Sequence, residues 1–278
     1  MRIRFVDALK SYIRKFVSPP ELIFDVLFSN VVEGSLVVNL DNIKGSFEID
    51  ARSDLLKRIL ATKEYEHSLV QLISDKTDKG KDAINVGANI GLYAVLLAQL
   101  LEEKNRVLAI EPTINAFKLL SNNIERNGVM NKVQLFNGLA ADVSGNYTIN
   151  TIEGKEEYSS IGSMSHPAIE NVVFSSVNVL GSTIDQLVDE FNLEPGLLLI
   201  DVEGAEHKVL NGALNTIRRF SPLIIAEVDD SLLSGLGTSS ANLFSFLENE
   251  GYSVHNVLSN DLSMPFCGNI YAVKKYIS

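Results

Sequence analysis

The sequence predicts a doubly wound α/β fold, and three observations lead to it. From about residue 82, short apolar runs alternate with amphipathic stretches of helical length, the β-α-β rhythm of a layered sheet. Several of these runs are apolar throughout, as expected of parallel strands covered on both faces. The first run ends in a glycine-bearing turn, Asn85-Val86-Gly87-Ala88-Asn89-Ile90-Gly91, that passes directly into a helix.

Taken in order, the chain opens on a basic stretch. Arg2, Arg4, Lys10, Arg14 and Lys15 accompany Ile3, Val6, Leu9, Ile13, Phe16 and Val17 at helical spacing. Such a helix packs its apolar stripe on its own core or, alternatively, makes peripheral membrane contact through residues 1–17. Pro19-Pro20 ends it. Leu36–Leu40 and Ser46–Asp50 predict a hairpin around a polar turn. A helical stretch follows over residues 53–74, broken near Thr62. The polar linker Asp75–Lys81 sets a boundary between an N-terminal helical and hairpin extension, residues 1–80, and a main domain, residues 81–278.

Within the main domain the predicted strands are Ala83–Val86, Arg106–Ile110, Lys132–Phe136, Leu197–Ile200 and Leu223–Glu227. The predicted helices are Leu92–Leu101, Ile114–Asn127, Thr183–Phe191, Ala205–Phe220 and Ala241–Gly251. Tyr252–Val257 and Asn269–Val273 are strands joined without a helix, so one runs antiparallel to its neighbour. The rhythm is interrupted between Asp142 and Ser182, where Tyr147–Ile152 and Val172–Val179 are strand candidates. The Ser- and Gly-rich segment Tyr158–His166 between them is either an acceptor-binding lid or a passive loop.

Composition narrows the function. A net charge of −11 argues against nonspecific nucleic-acid binding. The longest apolar stretch, Leu92–Leu101, is too short to span a bilayer, and no signal peptide is visible. Cys267 is the single cysteine, so neither an internal disulfide nor a cysteine-rich zinc site is expected. A cytoplasmic location is the default expectation.

Three segments carry chemistry. Gly87 and Gly91 let the backbone turn sharply after a strand, and the helix that follows offers free N–H groups to a polar ligand. A nicotinamide fingerprint would need glycine where Asn89 and Leu92 stand, so a dinucleotide pattern fails. Glu111 ends the next strand, about 20 residues on, where a carboxylate accepts from both hydroxyls of a ribose. Asp201 and Glu203 follow the run Leu197–Ile200 and, two residues apart in an extended chain, point to one side at the carboxyl edge of a central strand. Glu206 falls in the first turn of the next helix, a structural position for an acid. Glu227 ends the last parallel strand.

These segments resemble the FkbM-type family of class I S-adenosylmethionine-dependent methyltransferases. The matching stretches are Asn85–Tyr93 (NVGANIGLY), Val107–Pro112 (VLAIEP), Leu119–Gly128 (LLSNNIERNG) and Leu199–Gly212 (LIDVEGAEHKVLNG), with Ser176–Leu187 also similar. The resemblance implies a Rossmann-like methyltransferase sheet of seven strands whose last strand is antiparallel. It implies S-adenosyl-L-methionine as cofactor, its methionine part wrapped by Gly87, Ala88, Asn89 and Gly91, its ribose on Glu111 and its adenine near Asn137 and Leu139. Asn85 stands where the family usually has aspartate. Its amide can still accept from the cofactor's ammonium but supplies no charge.

The resemblance implies O-methylation of a small-molecule or glycan acceptor, a sugar or secondary metabolite. A hydroxyl acceptor needs a base. Asp201 is the first candidate, Glu203 the second, and Glu227 and His166 follow; no metal is required. Two alternatives stay open: a non-catalytic cofactor-binding protein, and an NAD-dependent oxidoreductase. The acceptor and the oligomeric state are not legible.

Overall fold

The structure is a computed structural model and describes residues 34–62, 64–152, 154, 159–161 and 175–275. The predicted N-terminal helix and His166 lie outside the described residues. Strands β1 (Ser35–Leu40) and β2 (Gly45–Asp50) form the expected antiparallel hairpin. The helical stretch after it is two helices, α1 (Asp54–Thr62) and α2 (His67–Lys76), broken where the sequence indicated.

The main sheet has seven strands. They are β3 (Asp82–Val86), β4 (Val107–Ile110), β5 (Val133–Phe136), β10 (Pro195–Ile200), β11 (Leu223–Asp229), β12 (Tyr252–Asn256) and β13 (Cys267–Lys274). Their spatial order is β12-β13-β11-β10-β3-β4-β5. β13 runs antiparallel to both β11 and β12, as the helix-free tail predicts. Every residue of β3 and β4 is buried, which explains why neither alternates in polarity.

Helices cover both faces. One face carries α1, α2, α3 (Leu92–Leu100) and α4 (Ile114–Arg126) in a single apolar cluster with the hairpin residues Phe47 and Ile49. The other face carries α5 (Ile184–Phe191), α6 (Glu206–Asn211), α7 (Leu214–Phe220), α8 (Asp230–Gly235) and α9 (Ser240–Asn249). The single helix expected over 205–220 is broken at Gly212, where an added Cβ would lie 2.0 Å from the Ala141 carbonyl oxygen. Asp185 then caps α7, accepting from the Asn215 and Thr216 N–H groups at 3.0 and 2.7 Å.

The interruption forms a second sheet of four strands, in the order β6 (Leu139–Ala140), β9 (Ser175–Ser182), β7 (Gly145–Thr151), β8 (Ser160–Ile161). The hairpin is locked on by α4. Asn123 and Asn127 bond the backbone of β2 as a neighbouring strand would, accepting from the Glu48 and Ser46 N–H groups at 2.7 and 2.9 Å. The Asn123 amide also donates to the Ile90 carbonyl at 2.9 Å, tying the hairpin to the glycine turn.

Candidate functional site

The chain runs from β3 through β4 to β5 in one direction and then returns to β10 on the other side of β3. That reversal opens a crevice at the carboxyl ends of β3 and β10, where doubly wound sheets bind ligands. A cleft of about 290 Å³ lies there. Its floor is the glycine turn. Gly87 and Ala88 both donate to the Ile110 carbonyl, at 3.0 and 2.9 Å, and Asp201 donates to the Val86 carbonyl at 3.0 Å. Asn89 has φ of 47°, a left-handed conformation that asparagine tolerates better than most residues.

The two glycines both have positive φ, 75° at Gly87 and 93° at Gly91, the sharp turn expected of them. A Cβ on Gly87 would stand 1.7 Å from the Asp201 carbonyl oxygen, and one on Gly91 would stand 2.7 Å from Leu120 Cδ1. Both glycines permit close packing of the turn on its own protein.

Glu111 is buried and forms part of the cleft wall. Its Oε2 accepts from the Asn89 N–H at 2.9 Å, and its Oε1 accepts from the Thr113 N–H and hydroxyl at 2.9 and 2.6 Å. These bonds fix the carboxylate rigidly beside the turn. Pro112, Leu139 and Ala140 add apolar wall on that side, and Ile149 from the second sheet completes it. Asn137 is exposed and lies outside the lining; its amide donates to the Glu111 and Pro112 carbonyls at 2.9 and 3.3 Å. Asn85 is fully buried behind the turn, on the strand position flanked by Leu199 and Ala109, and neither end of its amide has a hydrogen-bond partner.

Across the cleft stand Asp201, Glu203 and Glu227. The chain between the first two is not extended: Glu203 has φ of 52° and Gly204 φ of 96°. A tight turn, rather than strand alternation, brings both to the cleft. Burial, and then the negative charges of Glu227, Glu203 and Glu66, push the Asp201 carboxyl well above the usual carboxylate range. Glu227, open to the cleft, is also pushed up by desolvation and by Glu66, and a hydrogen bond from Asp201 partly offsets this. Each carboxyl of this pair is therefore harder to ionise than a solvated one. Glu206 is buried beneath the turn, where its Oε1 accepts from the Gly204 N–H at 3.0 Å, the structural place expected of it.

One wall was missed by sequence reasoning. Arg58 of α1, together with Tyr65 and Glu66 just before α2, lines the cleft with Tyr93 of α3. Glu66 Oε1 accepts from Arg58 Nη2 at 2.8 Å, and Glu66 Oε2 accepts from the Tyr93 hydroxyl. The Tyr65 and Tyr93 rings lie 5.3 Å apart. Burial and nearby acidic groups raise both phenols well above their ordinary value, so both remain protonated donors. No local pattern marks these residues; only packing of the extension on α3 brings them together. Among the described residues, no group of three or more His, Cys, Asp or Glu side chains is arranged to hold a metal ion, and no helix is long and apolar enough to cross a membrane.

The residues present fit a nucleoside with a charged tail. A fixed carboxylate suits a vicinal diol, the Pro112–Leu139–Ala140 wall suits a flat base, and a polar turn lies between them and the acidic wall.

Comparison with known proteins gives a family. Residues 85–254, more than half of the chain, match the family described as the methyltransferase FkbM domain. A curated relative, hexuronic acid methyltransferase AglP of Haloferax volcanii, is 26% identical over 165 residues, covering 58% of this chain and 61% of that protein. The match thus spans about three-fifths of the relative's length. Among solved structures, methyltransferase FkbM from Methylobacillus flagellatus is similar with a TM-score of 0.48 and 18% identity, covering 77% of this chain and 52% of that one. An O-methyltransferase from Bacillus cereus in complex with SAH is similar with a TM-score of 0.48 and 15% identity, covering 96% and 97%.

Proposed function

We propose that this chain, which belongs to the methyltransferase FkbM domain family, uses S-adenosyl-L-methionine to methylate a hydroxyl of a sugar or secondary metabolite. The single observation that carries the reading is the cleft at the strand reversal. On one side it has Glu111 bonded to the Asn89 N–H, and on the other the carboxyls of Asp201 and Glu227. The likeness to a hexuronic acid methyltransferase supports a sugar-type acceptor.

When bound, the cofactor supplies an activated methyl group on a sulfonium, and the protein's task is orientation. Glu111 and the Gly87–Asn89 turn hold the nucleoside. The acidic wall of Glu66, Glu203 and Glu227 favours positive charge in the cleft. Asp201, harder to ionise than Glu227, donates to it and aims its carboxylate. Glu227 is then the base that accepts the acceptor's hydroxyl proton, its raised pKa bringing it nearer to neutral working pH. This revises the order in which the sequence ranks the two.

Heats of binding for S-adenosylhomocysteine and NAD test the reading. S-adenosylhomocysteine should bind and NAD should not; the reverse result would point to hydride chemistry.

A further inference from the structure

Among the described residues, six carboxylic acids line the cleft: Asp54, Glu66, Glu111, Asp201, Glu203 and Glu227. A single cation, Arg58, stands among them. This imbalance suits a sulfonium and an ammonium. It opposes the remaining charged group of the proposed cofactor, the carboxylate of its amino-acid end. A carboxylate entering a pocket this acidic needs a positive partner at a fixed place.

We propose that Arg58, on the N-terminal extension, holds the carboxylate of the cofactor's amino-acid end, with Glu66, Tyr65 and Tyr93 as positioning residues. The inference rests on the cofactor reading given above.

The geometry supplies the positioning. Arg58 bonds Glu66 through one terminal nitrogen at 2.8 Å, which engages one of the five N–H donors of a guanidinium. Its guanidinium carbon sits 5.8 Å from the centre of the Tyr65 ring. Tyr65 is itself held by Asn42, whose amide donates to the Tyr65 carbonyl at 2.7 Å. The second oxygen of Glu66 takes the hydroxyl of Tyr93, in the first turn of the helix that leaves the glycine turn. Arg58 is therefore bracketed by a chain of contacts that ends on the cofactor loop's own helix. A surface arginine serving only solubility would not need that bracket. The planar fork of arginine matches a carboxylate in a way that lysine does not.

The test compares two ligands by calorimetry: S-adenosylhomocysteine, which carries the amino-acid end, and 5′-methylthioadenosine, which lacks it. Wild type should bind both. Arg58→Gln should bind S-adenosylhomocysteine about 10- to 100-fold more weakly, the scale of a hydrogen-bonded charge pair, and 5′-methylthioadenosine unchanged. Arg58→Lys should fall between. Arg58 is exposed, so the variants should fold, and unchanged 5′-methylthioadenosine binding serves as the internal check. Equal losses for both ligands, or no loss for either, would overturn the assignment of Arg58 while leaving the cofactor reading intact. Failure of wild type to bind either ligand would overturn both.

Discussion

Replacing Glu206 by glutamine isolates the energetic cost of an acid buried beneath the turn that follows β10. Glu206 is only 2% exposed, its Oε1 accepts from the Gly204 N–H, and its Oε2 has no partner. Burial raises its carboxyl from 4.5 to about 7, even though the backbone N–H groups of Glu206, Gly204 and Val202 pull the other way. In the unfolded chain the group ionises near its ordinary value. Between the two values the unfolded state releases a proton that the folded state keeps. Stability is therefore fully present below about pH 4.5 and is lost as pH rises through about 7. At 1.36 kcal/mol for each tenfold change in proton affinity, the loss is about 3 kcal/mol. Glutamine keeps an oxygen for the Gly204 N–H and carries no charge. Denaturant unfolding of both proteins from pH 4 to pH 8 checks this, because groups that do not interact with Glu206 cancel in the difference, leaving Glu206 and its weaker coupling to Asp201 and Glu227. Glu206→Gln should match wild type near pH 4 and exceed it by about 3 kcal/mol at pH 8. A flat difference across that range would refute the argument.

Other expectations follow from the cleft. Gly87→Ala puts a Cβ 1.7 Å from the Asp201 carbonyl oxygen at φ of 75°, whereas Gly128→Ala, at φ of 69°, meets nothing within 4 Å. Unfolding should show a loss of about 3 kcal/mol or more for the first and about 1–2 kcal/mol for the second; equal losses would mean that the turn can move away from β10. Glu111→Gln should weaken S-adenosylhomocysteine by about 10-fold, and a 2′,3′-dideoxy analogue should lose little further affinity in that variant. Additive losses would separate Glu111 from the ribose. With an acceptor that is turned over, Glu227→Gln should cut methyl transfer by about 10²-fold or more with cofactor affinity retained. Wild-type transfer should fall as pH drops through the raised carboxyl value of Glu227; a profile that falls only in the ordinary carboxylate range would return the role of base to another group.

The fold and half of the cleft were legible because their signals are local. A buried parallel strand is apolar throughout, a turn into a helix needs glycine, and an acid at a strand end stands beside the crevice. Val86, Gly87, Glu111 and Asp201 can each be recognised from a few neighbours in sequence. Even there the reasons were partly hidden. Gly87 reads as a sharp turn, but the sequence does not show that a Cβ there would also meet the main chain of Asp201, 114 positions away. Asp201 and Glu203 read as one face of an extended strand, and both do line the cleft, but the left-handed Glu203 shows that a turn and not strand alternation puts them there. No sequence pattern distinguishes these cases, because the deciding atom belongs to a distant segment.

The wall formed by Arg58, Tyr65, Glu66 and Tyr93 shows the same limit in a stronger form. Residues 58, 65 and 66 lie in a stretch whose local signal is only a broken amphipathic helix. Their meaning depends on three long-range contacts: Asn42 on the Tyr65 backbone, Asn123 on Glu48 and Ile90, and Glu66 on Tyr93. Asparagine supplies two of these because one amide can both accept from and donate to backbone, satisfying a strand edge without another strand. The hairpin is thus held to α4 through polar bonds as well as through Phe47 and Ile49 in the shared core. Loosening Asn123 would leave the buried Ile90 carbonyl and the Glu48 N–H without those bonds, and with them the placement of the turn and of the extension beside it. The cleft is therefore a property of two segments joined through one helix. Strand ends and the turn after β10 supply Glu111, Asp201, Glu203 and Glu227, while the extension supplies Asp54, Glu66 and, among the described lining residues, the one cation, Arg58, so the balance of charge in the cleft depends on both segments being in place.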